Sequence, residues 1–447
     1  MQIAVVALGK IGLPLAAQFA DSGHDVIGVD IDQSVVELVN QGVEPFPGEA
    51  GLADRLAHLV PAGRLRATTE YAEAIPSADV IVVVVPLFVD EDTGEPDFAW
   101  MDAATTSLSE HLSPGTLVIY ETTLPVGTTR TRWKPMIEQI SGLQEGAVRT
   151  AVPNQETQTG FHLVFSPERV LTGRVFDDLR RYPKLVGGLS AEGAAAAADF
   201  YQSVLTFDER DDLPRPNGVW DLGSAEAAEL AKLAETTYRD VNIALVNQFA
   251  RFADTVGLDV YAVIEACNSQ PFSHLHQPGI AVGGHCIPVY PRLYLAGDPQ
   301  ASVVSAARAV NASMPEYAVA RAEEVLGSLE GLRVAVLGAA YRGGVKETAF
   351  SGVFAAVDAL LARGARATVH DPMYTDAELN DLGWVPYHLG EPVDVAVVQA
   401  DHQCYATLGA ADLPGLRLLL DGRRITEPAR FAAVPRLTIG GGTAATT

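Results

Sequence analysis

Short, uninterrupted runs of apolar residues recur through residues 1–190, and stretches with helix-like spacing separate them. A strand that is buried on both faces reads as such a run, because neither face meets water. Alternation of strands and helices of this kind is typical of a parallel sheet that helices cover on both faces. The pattern therefore predicts an α/β fold, with strands at residues 3–7, 26–29, 80–85, 117–120 and 162–165.

The same alternation restarts in the last third of the chain, after a middle part of different character. Apolar runs at 334–338 and 367–370 flank a helical stretch at 352–361, which imitates the opening of the chain. In the middle, residues 225–256 lack proline and glycine and carry apolar residues at helical spacing, up to Gly257. One such helix would span about 48 Å, connect domains and offer a surface for self-association, whereas two shorter core helices are the alternative. We therefore predict two doubly wound, Rossmann-like α/β domains joined by a central helical region with one long helix.

Length and charge limit the class of protein. The 447 residues correspond to about three domains at roughly 150 residues each. A net charge of −25 repels phosphate backbones, which disfavours nucleic acid and anionic membranes as partners. No charged segment precedes a cleavable apolar run and no apolar stretch reaches bilayer length, so we expect a cytoplasmic location. The small and polar residues 440–447 predict a loose tail.

The first predicted strand runs into the sequence ALGKIG at residues 7–12, which fits the dinucleotide fingerprint with alanine at its first position. Gly9 would let the backbone approach a pyrophosphate, and Gly12 would let the following helix pack close to the sheet. Lys10 and Ile11 complete the turn, whose N–H groups would face the phosphates at the helix N-terminus. A tight corner without any ligand is the alternative.

An acidic residue strengthens the fingerprint. Asp30 ends the second predicted strand, 18 residues after Gly12, where a carboxylate can accept hydrogen bonds from ribose hydroxyls. No arginine occurs in residues 31–39 to receive a 2′-phosphate, so NAD is favoured over NADP as the cofactor. Asp32 either shares the ribose role or lies in solvent.

The three cysteines lack the short paired spacings of zinc sites and disulfide frameworks, so we expect no metal site and a reducing compartment. Cys267 and Cys404 are best explained as small apolar residues of a core. Cys286 differs, because Gly283 and Gly284 lie shortly before it and a proline lies shortly after it. These neighbours indicate an irregular turn whose side chain can face a ligand. We predict that Cys286 is a nucleophile.

A thiol nucleophile suits the oxidation of a primary alcohol to an acid. Loss of a hydride from the alcohol gives an aldehyde, which has no readily transferred hydride until a nucleophile adds to it. A thiolate forms a thiohemiacetal, a second oxidation gives a thioester, and water then cleaves the thioester. The alkoxide-like oxygen needs cationic or hydrogen-bond-donating partners.

Further motifs follow the fingerprint in a fixed order, namely TTLPVG at 122–127, SPERV at 166–170, AKLA at 231–234 and GGHCIP at 283–288. With these motifs the chain resembles the UDP-glucose/UDP-N-acetylmannosamine dehydrogenase family over nearly its whole length. The resemblance implies two-step, NAD-dependent oxidation of the C6 hydroxyl of a UDP-sugar to the uronic acid, by a homodimer or higher homo-oligomer. The implied domains are an NAD-binding Rossmann domain at 1–205, a central helical dimerisation and catalytic region at 206–324, and a UDP-sugar-binding Rossmann-like domain at 325–440.

The resemblance also implies roles for residues that match the family's motifs. Cys286 would be the nucleophile, and Lys232 the cation that stabilises the oxyanion. Thr123 would help hold the catalytic water and contact the cofactor, and Glu168 would act near the sugar in the hydrolytic step. The implied substrate-binding residues are Glu168, Arg169, Val170, Lys232, Gly283, Gly284 and Arg342.

Each of these roles has a plainer alternative. Lys232 by itself would be interpreted as a solvated surface lysine. Thr123 could cap a turn, and Glu168 could form a structural ion pair with Arg169. Arg342 replaces the family's lysine and offers a bidentate fork to phosphate, or else it is a surface charge.

Some positions depart from the family's pattern. Tyr290 stands where the family has aspartate, and Thr236 stands where it has asparagine. We keep both as candidate catalytic residues and leave the identity of the base open, since tyrosine ionises near pH 10 and threonine offers only a hydroxyl. Ala349 falls where the family often has arginine, with Lys346 as a replacement charge.

The motif PERV at 167–170 favours an N-acetylated sugar, so UDP-N-acetyl-D-mannosamine is the predicted substrate, although Phe272 replaces an arginine of such enzymes. UDP-glucose or another NDP-hexose is the alternative. A catalytically impaired NAD-binding sensor or scaffold is a second alternative, suggested by Tyr290 and Thr236. A single-oxidation hydroxyacid dehydrogenase is disfavoured, because it needs neither Cys286 nor a second nucleotide domain.

Overall fold

The computed structural model describes residues 1–90, 93–146, 150–152, 155–157 and 160–442. The chain divides into two compact units, Met1–Ala234 and Glu235–Thr447. No helix in the described ranges is both long and apolar enough to cross a membrane.

The first unit is built on a large, mostly parallel sheet. The unit contains β1 (Gln2–Val6), β2 (Asp25–Val29), β3 (Leu65–Thr68), β4 (Val80–Val83), β5 (Phe88–Val89), β6 (Pro96–Asp97), β7 (Leu117–Tyr120), β8 (Gln144–Glu145), β9 (Thr150–Val152), β10 (Gln155–Thr157), β11 (Gly160–Phe165), β12 (Lys184–Gly188) and β13 (Val219–Asp221). Of these, β5 pairs with β6 and β9 pairs with β10 in two small separate sheets. The order in the main sheet is β13-β12-β11-β7-β4-β1-β2-β3, with β8 beside β11. The segment from β11 to β3 is parallel, whereas β12 runs antiparallel to β11. The five predicted strands are confirmed, with ends that differ by at most two residues.

Helices cover both faces of this sheet. They are α1 (Gly12–Asp21), α2 (Gln33–Asn40), α3 (Leu52–Leu59), α4 (Tyr71–Ala74), α5 (Ala99–Ser109), α6 (Lys134–Ser141), α7 (Val175–Arg181) and α8 (Ala191–Val204). Alternate strand residues enter two separate apolar cores: Ile3 and Val5 belong to one, and Ala4 and Val6 belong to the other. This two-sided burial is the physical reason for the continuous apolar runs in the sequence.

The long helix is a single element. It is α9 (Ala225–Val256), with 32 residues, and it ends before Gly257 at φ +74°. A left-handed glycine directly after the last turn is a common helix stop. The prediction of one long helix is confirmed, and the alternative of two shorter helices is wrong.

The second unit contains another parallel sheet. Its strands are β14 (Arg333–Leu337), β15 (Arg366–His370), β16 (Val395–Val398), β17 (Leu418–Asp421) and β18 (Arg436–Thr438), in the order β15-β14-β16-β17-β18. Its other helices are α10 (Val260–Asn268), α11 (Tyr290–Gly297), α12 (Ser302–Ala312), α13 (Met314–Leu326), α14 (Gly352–Leu361), α15 (Asp376–Asp381) and α16 (Gln403–Ala406). The sheet and the restart of the β/α pattern confirm the predicted second Rossmann-like fold.

Two local predictions are wrong. Gly440 and Gly442 are buried rather than loose, because their N–H groups donate to the buried carboxylate of Asp254 at 3.1 and 3.0 Å. Residues 443–447 of the predicted tail lie outside the described residues. Cys404 is exposed at the start of α16 and is not a core residue, whereas Cys267 is half-buried on α10.

Candidate functional site

The carboxyl ends of the parallel strands form one edge of the first sheet. Successive strands are added first on one side of β1, where β2 and β3 lie, and then on the other side, where β4 and β7 lie. The strand order therefore reverses between β1 and β4, although the two strands are parallel. In open α/β sheets a crevice for ligands forms at such a switch point, outside the strand ends. The fingerprint at residues 7–12 directly follows β1, so it lies at this edge.

The two glycines of the fingerprint have different surroundings. A Cβ on Gly12 would lie 1.9 Å from the carbonyl oxygen of Ala7, so only glycine lets α1 begin this close to the loop. A Cβ on Gly9 would meet nothing within 4 Å, which leaves open space beside the backbone. Ala7 itself has φ +76°, a left-handed conformation that favours glycine. The loop therefore has the close helix packing and the open approach that a pyrophosphate requires.

The carboxylate of Asp30 is tied to the fingerprint loop. It accepts the N–H of Leu8 at 2.7 Å and the N–H of Asp32 at 2.9 Å. A carboxylate has about four acceptor positions, so capacity for ribose hydroxyls remains. Asp32 is the N-cap of α2 and accepts the N–H of Ser34 at 2.8 Å, which supports a structural role for this exposed residue.

The turn residues Lys10 and Ile11 lie at the same edge. Lys10 is exposed, and Ile11 is half-buried at the N-cap of α1. The N–H of Leu13 donates to the carbonyl of Gly9 at 3.1 Å, so the first turn of α1 begins inside the fingerprint. The dipole of α1 therefore points its positive end at the open space beside Gly9.

Thr123 and Glu168 follow the neighbouring strands β7 and β11. Thr123 is buried, and the N–H of Glu168 donates to the carbonyl of Glu121 at 3.2 Å. One carboxylate oxygen of Glu168 accepts the N–H groups of Arg169 and Val170 at 2.5 and 2.9 Å. Backbone contacts therefore fix this carboxylate at the sheet edge.

Glu168 has a second basic neighbour besides Arg169, which is Lys184. The ammonium of Lys184 lies 3.4 Å from Glu168 and 2.8 Å from Glu121, while an Arg169 guanidinium N–H donates to the carbonyl of Pro183 at 3.3 Å. Burial alone would raise the pKa of Glu168, but the Lys184 charge, a hydrogen bond from Glu121 and the Arg169 N–H lower it below its usual value. Sequence reasoning missed Glu121 and Lys184, which no local motif marks.

Lys232 is a buried lysine on α9 rather than a solvated one. Its positive charge is among the influences that lower the pKa of Glu168. One turn earlier, the buried carboxylate of Glu229 accepts the N–H groups of Gly127 and Thr129 at 2.5 and 2.9 Å. Glu229 thus ties the helix that carries Lys232 to the loop that carries Thr123. Sequence reasoning also missed Glu229, although it lies on the same helix face as Lys232.

The turn that carries Cys286 packs against the loop after β14, in the second unit. A Cβ on Gly283 would lie 2.6 Å from the Cβ of Tyr341 and 2.8 Å from the carbonyl oxygen of Phe350. Gly284 has φ +91°, and its N–H donates to the carbonyl of Ala349 at 2.8 Å. Both glycines are therefore needed for this close contact, and the thiol of Cys286 itself is exposed.

Helix α11 begins directly after the cysteine turn. The N–H of Tyr290, its first residue, donates to the carbonyl of Cys286 at 2.9 Å, and the Tyr290 side chain is half-buried. The ring nitrogen Nε2 of His285 lies 3.5 Å from the carboxylate of Glu347. Thr236, the other departure from the family's pattern, is buried on α9, four residues after Lys232.

A buried polar network holds both ends of the cysteine turn. The carboxylate of Asp240 on α9 forms a two-pronged ion pair with Arg308 on α12, and Arg308 also donates to the carbonyl of Pro288 at 3.3 Å. At the other end, the side-chain oxygen of Asn247 accepts the N–H of Gly279 at 3.0 Å. Asn311 joins the two halves through hydrogen bonds to Asp240 and Asn247.

The second sheet has its own polar edge. Arg342 is exposed, and its Nε donates to the hydroxyl of Tyr341 at 3.2 Å. Arg423, which sequence reasoning missed, follows β17 and donates to the carbonyls of Gln399 and Tyr341 at 2.6 and 3.2 Å. Burial lowers the pKa of Arg423. The run Asp421-Gly422-Arg423 at a strand end was the available sequence signal.

Asp371 directly follows β15, in the same way that Asp30 directly follows β2. One of its oxygens accepts the N–H groups of Ala339 and Ala340 at 2.9 and 3.0 Å, and the imidazole of His402 lies 3.0 Å from the same oxygen. Its other oxygen accepts the N–H of Met373 at 2.9 Å. This carboxylate is buried and already engaged on both oxygens.

The predicted site residues therefore fall into two sets. The sheet edge of the first unit and the start of α9 carry Gly9, Lys10, Ile11, Gly12, Asp30, Thr123, Glu168, Arg169, Val170 and Lys232. The second unit carries Thr236, Gly283, Gly284, Cys286, Tyr290 and Arg342. In the described part of the chain, no three histidine, cysteine or acidic side chains form a group that could hold a metal ion.

Three models of one family match the chain in succession. The NAD binding domain of the UDP-glucose/GDP-mannose dehydrogenase family matches residues 1–205, its central domain residues 226–313 and its UDP binding domain residues 335–428. The UDP-N-acetyl-D-mannosamine dehydrogenase of Pyrococcus horikoshii is 33% identical over 436 residues, which cover 96% of each chain.

Solved structures agree with this assignment. A UDP-D-ManNAc dehydrogenase structure from Pyrococcus horikoshii superposes with a TM-score of 0.84, at 30% identity and with 99% of each chain covered. A UDP-glucose dehydrogenase structure from Pyrobaculum islandicum gives a TM-score of 0.80 at 26% identity, with 96% of this chain and 95% of that chain covered. The chain therefore belongs to the UDP-glucose/GDP-mannose dehydrogenase family and is an NAD-dependent nucleotide sugar dehydrogenase.

Proposed function

We propose that the chain oxidises C6 of UDP-N-acetyl-D-mannosamine twice and releases the uronic acid. The observation that carries the proposal is the exposed thiol of Cys286, held in a turn that two glycines and a buried polar network fix. The buried ammonium of Lys232 and the ionised carboxylate of Glu168 supply the charges that the chemistry needs. The names of the relatives and the motif at 167–170 support the N-acetylated sugar.

NAD would be held at the switch point of the first sheet, and it would accept one hydride in each of the two oxidations. Gly9 leaves room for the pyrophosphate, and Gly12, Lys10 and Ile11 form the turn at the N-terminus of α1. The carboxylate of Asp30 would accept hydrogen bonds from ribose hydroxyls.

The chain's own residues would manage the bonds and protons. The Cys286 sulfur adds to the carbon of the intermediate aldehyde, and the ammonium of Lys232 stabilises the negative charge on its oxygen. The second oxidation leaves a thioester. Glu168 then takes a proton from water that Thr123 helps to hold, the new C–O bond forms, the C–S bond breaks and the thiolate leaves.

Glu168 is our candidate for the base in place of Tyr290 and Thr236. Its carboxylate is ionised at neutral pH, since its pKa lies below the usual value. Tyrosine and threonine hydroxyls are protonated at neutral pH and suit a role in orienting water. Arg342, Arg169, Val170, Gly283 and Gly284 are proposed to contact the nucleotide sugar.

The experiment measures how many NADH molecules form per sugar nucleotide consumed, in wild type and in two cysteine variants. We expect two NADH per UDP-N-acetyl-D-mannosamine consumed, and Cys286→Ser should lower uronate formation on the order of 10³-fold or more. Cys404→Ser is the control, because Cys404 is also an exposed free thiol and is not among the residues proposed to act on the sugar. One NADH per sugar, or uronate formed by Cys286→Ser at the wild-type rate, would contradict the proposal.

The substrate is tested by comparing kcat/KM for UDP-N-acetyl-D-mannosamine and UDP-glucose. A higher value for the N-acetylated sugar supports the proposal. A higher value for UDP-glucose would assign the alternative substrate instead. The scaffold alternative requires NAD binding without NADH formation from any nucleotide sugar.

We further propose that the chain forms a homodimer through α9. Leu245, Phe249, Phe252 and Val256 are 43%, 41%, 64% and 48% exposed, and their spacing of four, three and four residues makes one apolar stripe. Such a stripe is costly in water unless a partner covers it. Phe252→Lys should yield monomers in light scattering, whereas the control Val303→Lys, at an exposed position of α12, should not. Monomeric wild type would refute the dimer.

The domain bounds 1–205, 206–324 and 325–440 remain our proposal for the three functional parts of the chain. The family matches at 1–205, 226–313 and 335–428 support it. A cytoplasmic location is proposed because Cys267, Cys286 and Cys404 are all free thiols, which suits a reducing compartment. Detection of the protein in a soluble cytoplasmic fraction would support this location.

A further inference from the structure

A buried cluster of charged side chains lies behind Glu168. The ammonium of Lys184 contacts Glu121 at 2.8 Å and Glu168 at 3.4 Å, and the three side chains are 5%, 0% and 12% exposed. The hydroxyl of Tyr201 donates to the other oxygen of Glu121 at 2.5 Å. Two carboxyl groups and one ammonium are therefore removed from water at the ends of β7 and β11 and at the start of β12.

Burial of this cluster costs desolvation free energy, which lowers the stability of the fold. A buried ion pair repays its desolvation only with good geometry and further hydrogen bonds, and apolar residues of similar volume are often as stable or more stable. When Glu121 is ionised, the two carboxylates of this cluster outnumber its one ammonium, which adds to the cost of burial. A functional reason for keeping the cluster is therefore worth testing.

The cluster contacts one oxygen of the proposed base, and backbone N–H groups hold the other. One oxygen of Glu168 accepts the N–H groups of Arg169 and Val170, and the other lies beside Lys184. Glu121 also holds the backbone of Glu168 through its own carbonyl. We propose, on the basis of the function proposed above, that Glu121 and Lys184 are positioning residues that fix the orientation and charge of Glu168 during hydrolysis of the thioester.

The protonation of Glu121 would set the pH range of this action. Burial raises the pKa of Glu121 to about 7, even though Lys184 opposes the shift. The groups that face Glu121 are Lys184, Glu168 and Tyr201, and the side chains that face Glu168 are Lys184, Glu121 and Lys232. Below pH 7 Glu121 is protonated and the Lys184–Glu168 pair is electrically balanced. Above pH 7 Glu121 carries a second negative charge, which makes Glu168 a stronger base.

The first test is the pH profile of kcat for wild type and Glu121→Gln. Hydrolysis should accelerate through pH 7 in wild type, and this inflection should be absent in Glu121→Gln. At pH 8 the variant should lose on the order of tenfold in kcat, with KM changed less than about twofold. Mass spectrometry during turnover should show more enzyme carrying the thioester on Cys286. Tyr201→Phe, which loses one hydrogen bond to ionised Glu121, should move the inflection to higher pH.

The outcomes separate this inference from the proposed function. If Glu168→Gln neither accumulates thioester nor loses kcat, the role of Glu168 in the proposed function is wrong. If Glu168→Gln does both, while Glu121→Gln and Tyr201→Phe keep the wild-type profile and thioester level, the positioning role alone is overturned. A loss of kcat that is equal at every pH would also overturn it, because that pattern indicates only structural damage. Tyr201→Phe keeps the ring and the charges, so it serves as the test if Glu121→Gln does not fold.

Discussion

Replacing Asp240 with asparagine should strongly destabilise the second unit. The carboxylate of Asp240 is fully buried, and the guanidinium of its partner Arg308 is only 15% exposed. Asp240 accepts two hydrogen bonds from Arg308 and one from Asn311, the last at 2.7 Å. An amide keeps the shape but leaves a buried cation without a countercharge. Loss of one partner of such a pair costs about 3 to 5 kcal/mol.

The size of the effect can be measured by urea unfolding followed by circular dichroism. A loss of about 3 kcal/mol corresponds to a fall in Tm of roughly 6 to 12 °C for a unit of this size. The control is Glu427→Gln, which makes the same acid-to-amide change in an exposed pair with Arg430 and should cost less than about 1 kcal/mol. Because Arg308 also holds the carbonyl of Pro288, Asp240→Asn should also slow the step that we propose for Cys286, its addition to the substrate aldehyde. A loss of stability no larger than that of the control would refute this account of the buried pair.

Three further predictions concern the first unit. Gly9→Ala should weaken NAD binding and leave the Tm of the NAD-free protein unchanged. Gly12→Ala should lower the Tm itself, because the added Cβ would lie 1.9 Å from a carbonyl oxygen. Equal melting curves for the two variants would contradict this prediction. Ala7→Gly should raise the unfolding free energy by up to about 1 kcal/mol, since φ is +76°, and a lower value in urea unfolding would contradict it. Burial raises the pKa of Glu229 to about 7 from 4.5, so its protonated form stabilises the fold below pH 4.5 and that contribution is lost as pH rises through 7. The stability of wild type relative to Glu229→Gln should therefore fall by about 2 to 3 kcal/mol between pH 5 and 8, and a difference that is constant with pH would exclude the shift.

The sequence predicted the fold because its signals are local. Central strands of both sheets, such as β4 and β16, are continuous apolar runs, and α9 is a stretch of 32 residues without proline or glycine. The steric need for Gly12 also follows from the fingerprint, whose glycine spacing reflects the contact between helix and loop. The end of the chain was mispredicted because Gly440 and Gly442 look loose locally. Their partner is the carboxylate of Asp254 on α9, which is distant in sequence.

The candidate site was only partly predictable, because burial of charges depends on distant contacts. Lys184 follows Arg180 and Arg181 in a segment that resembles a solvated surface, yet its side chain is 5% exposed. Its partners Glu121 and Glu168 lie 63 and 16 residues away in the sequence. Cys404 was assigned to a core from residue type alone, since nothing in its neighbourhood reveals that Cys404 lies on the exposed side of α16 while Tyr405 lies on the buried side.

The number of contacts that the Asp371 carboxylate already makes affects which nucleotide the second sheet can bind. Asp30 accepts one backbone N–H on each oxygen and retains acceptor positions for a ribose, whereas its counterpart in the second sheet accepts three backbone N–H groups and also contacts His402. A dinucleotide would therefore gain much less at the second sheet than at the first. Acceptor capacity at the strand end is thus one chemical reason for a dinucleotide to favour the first sheet.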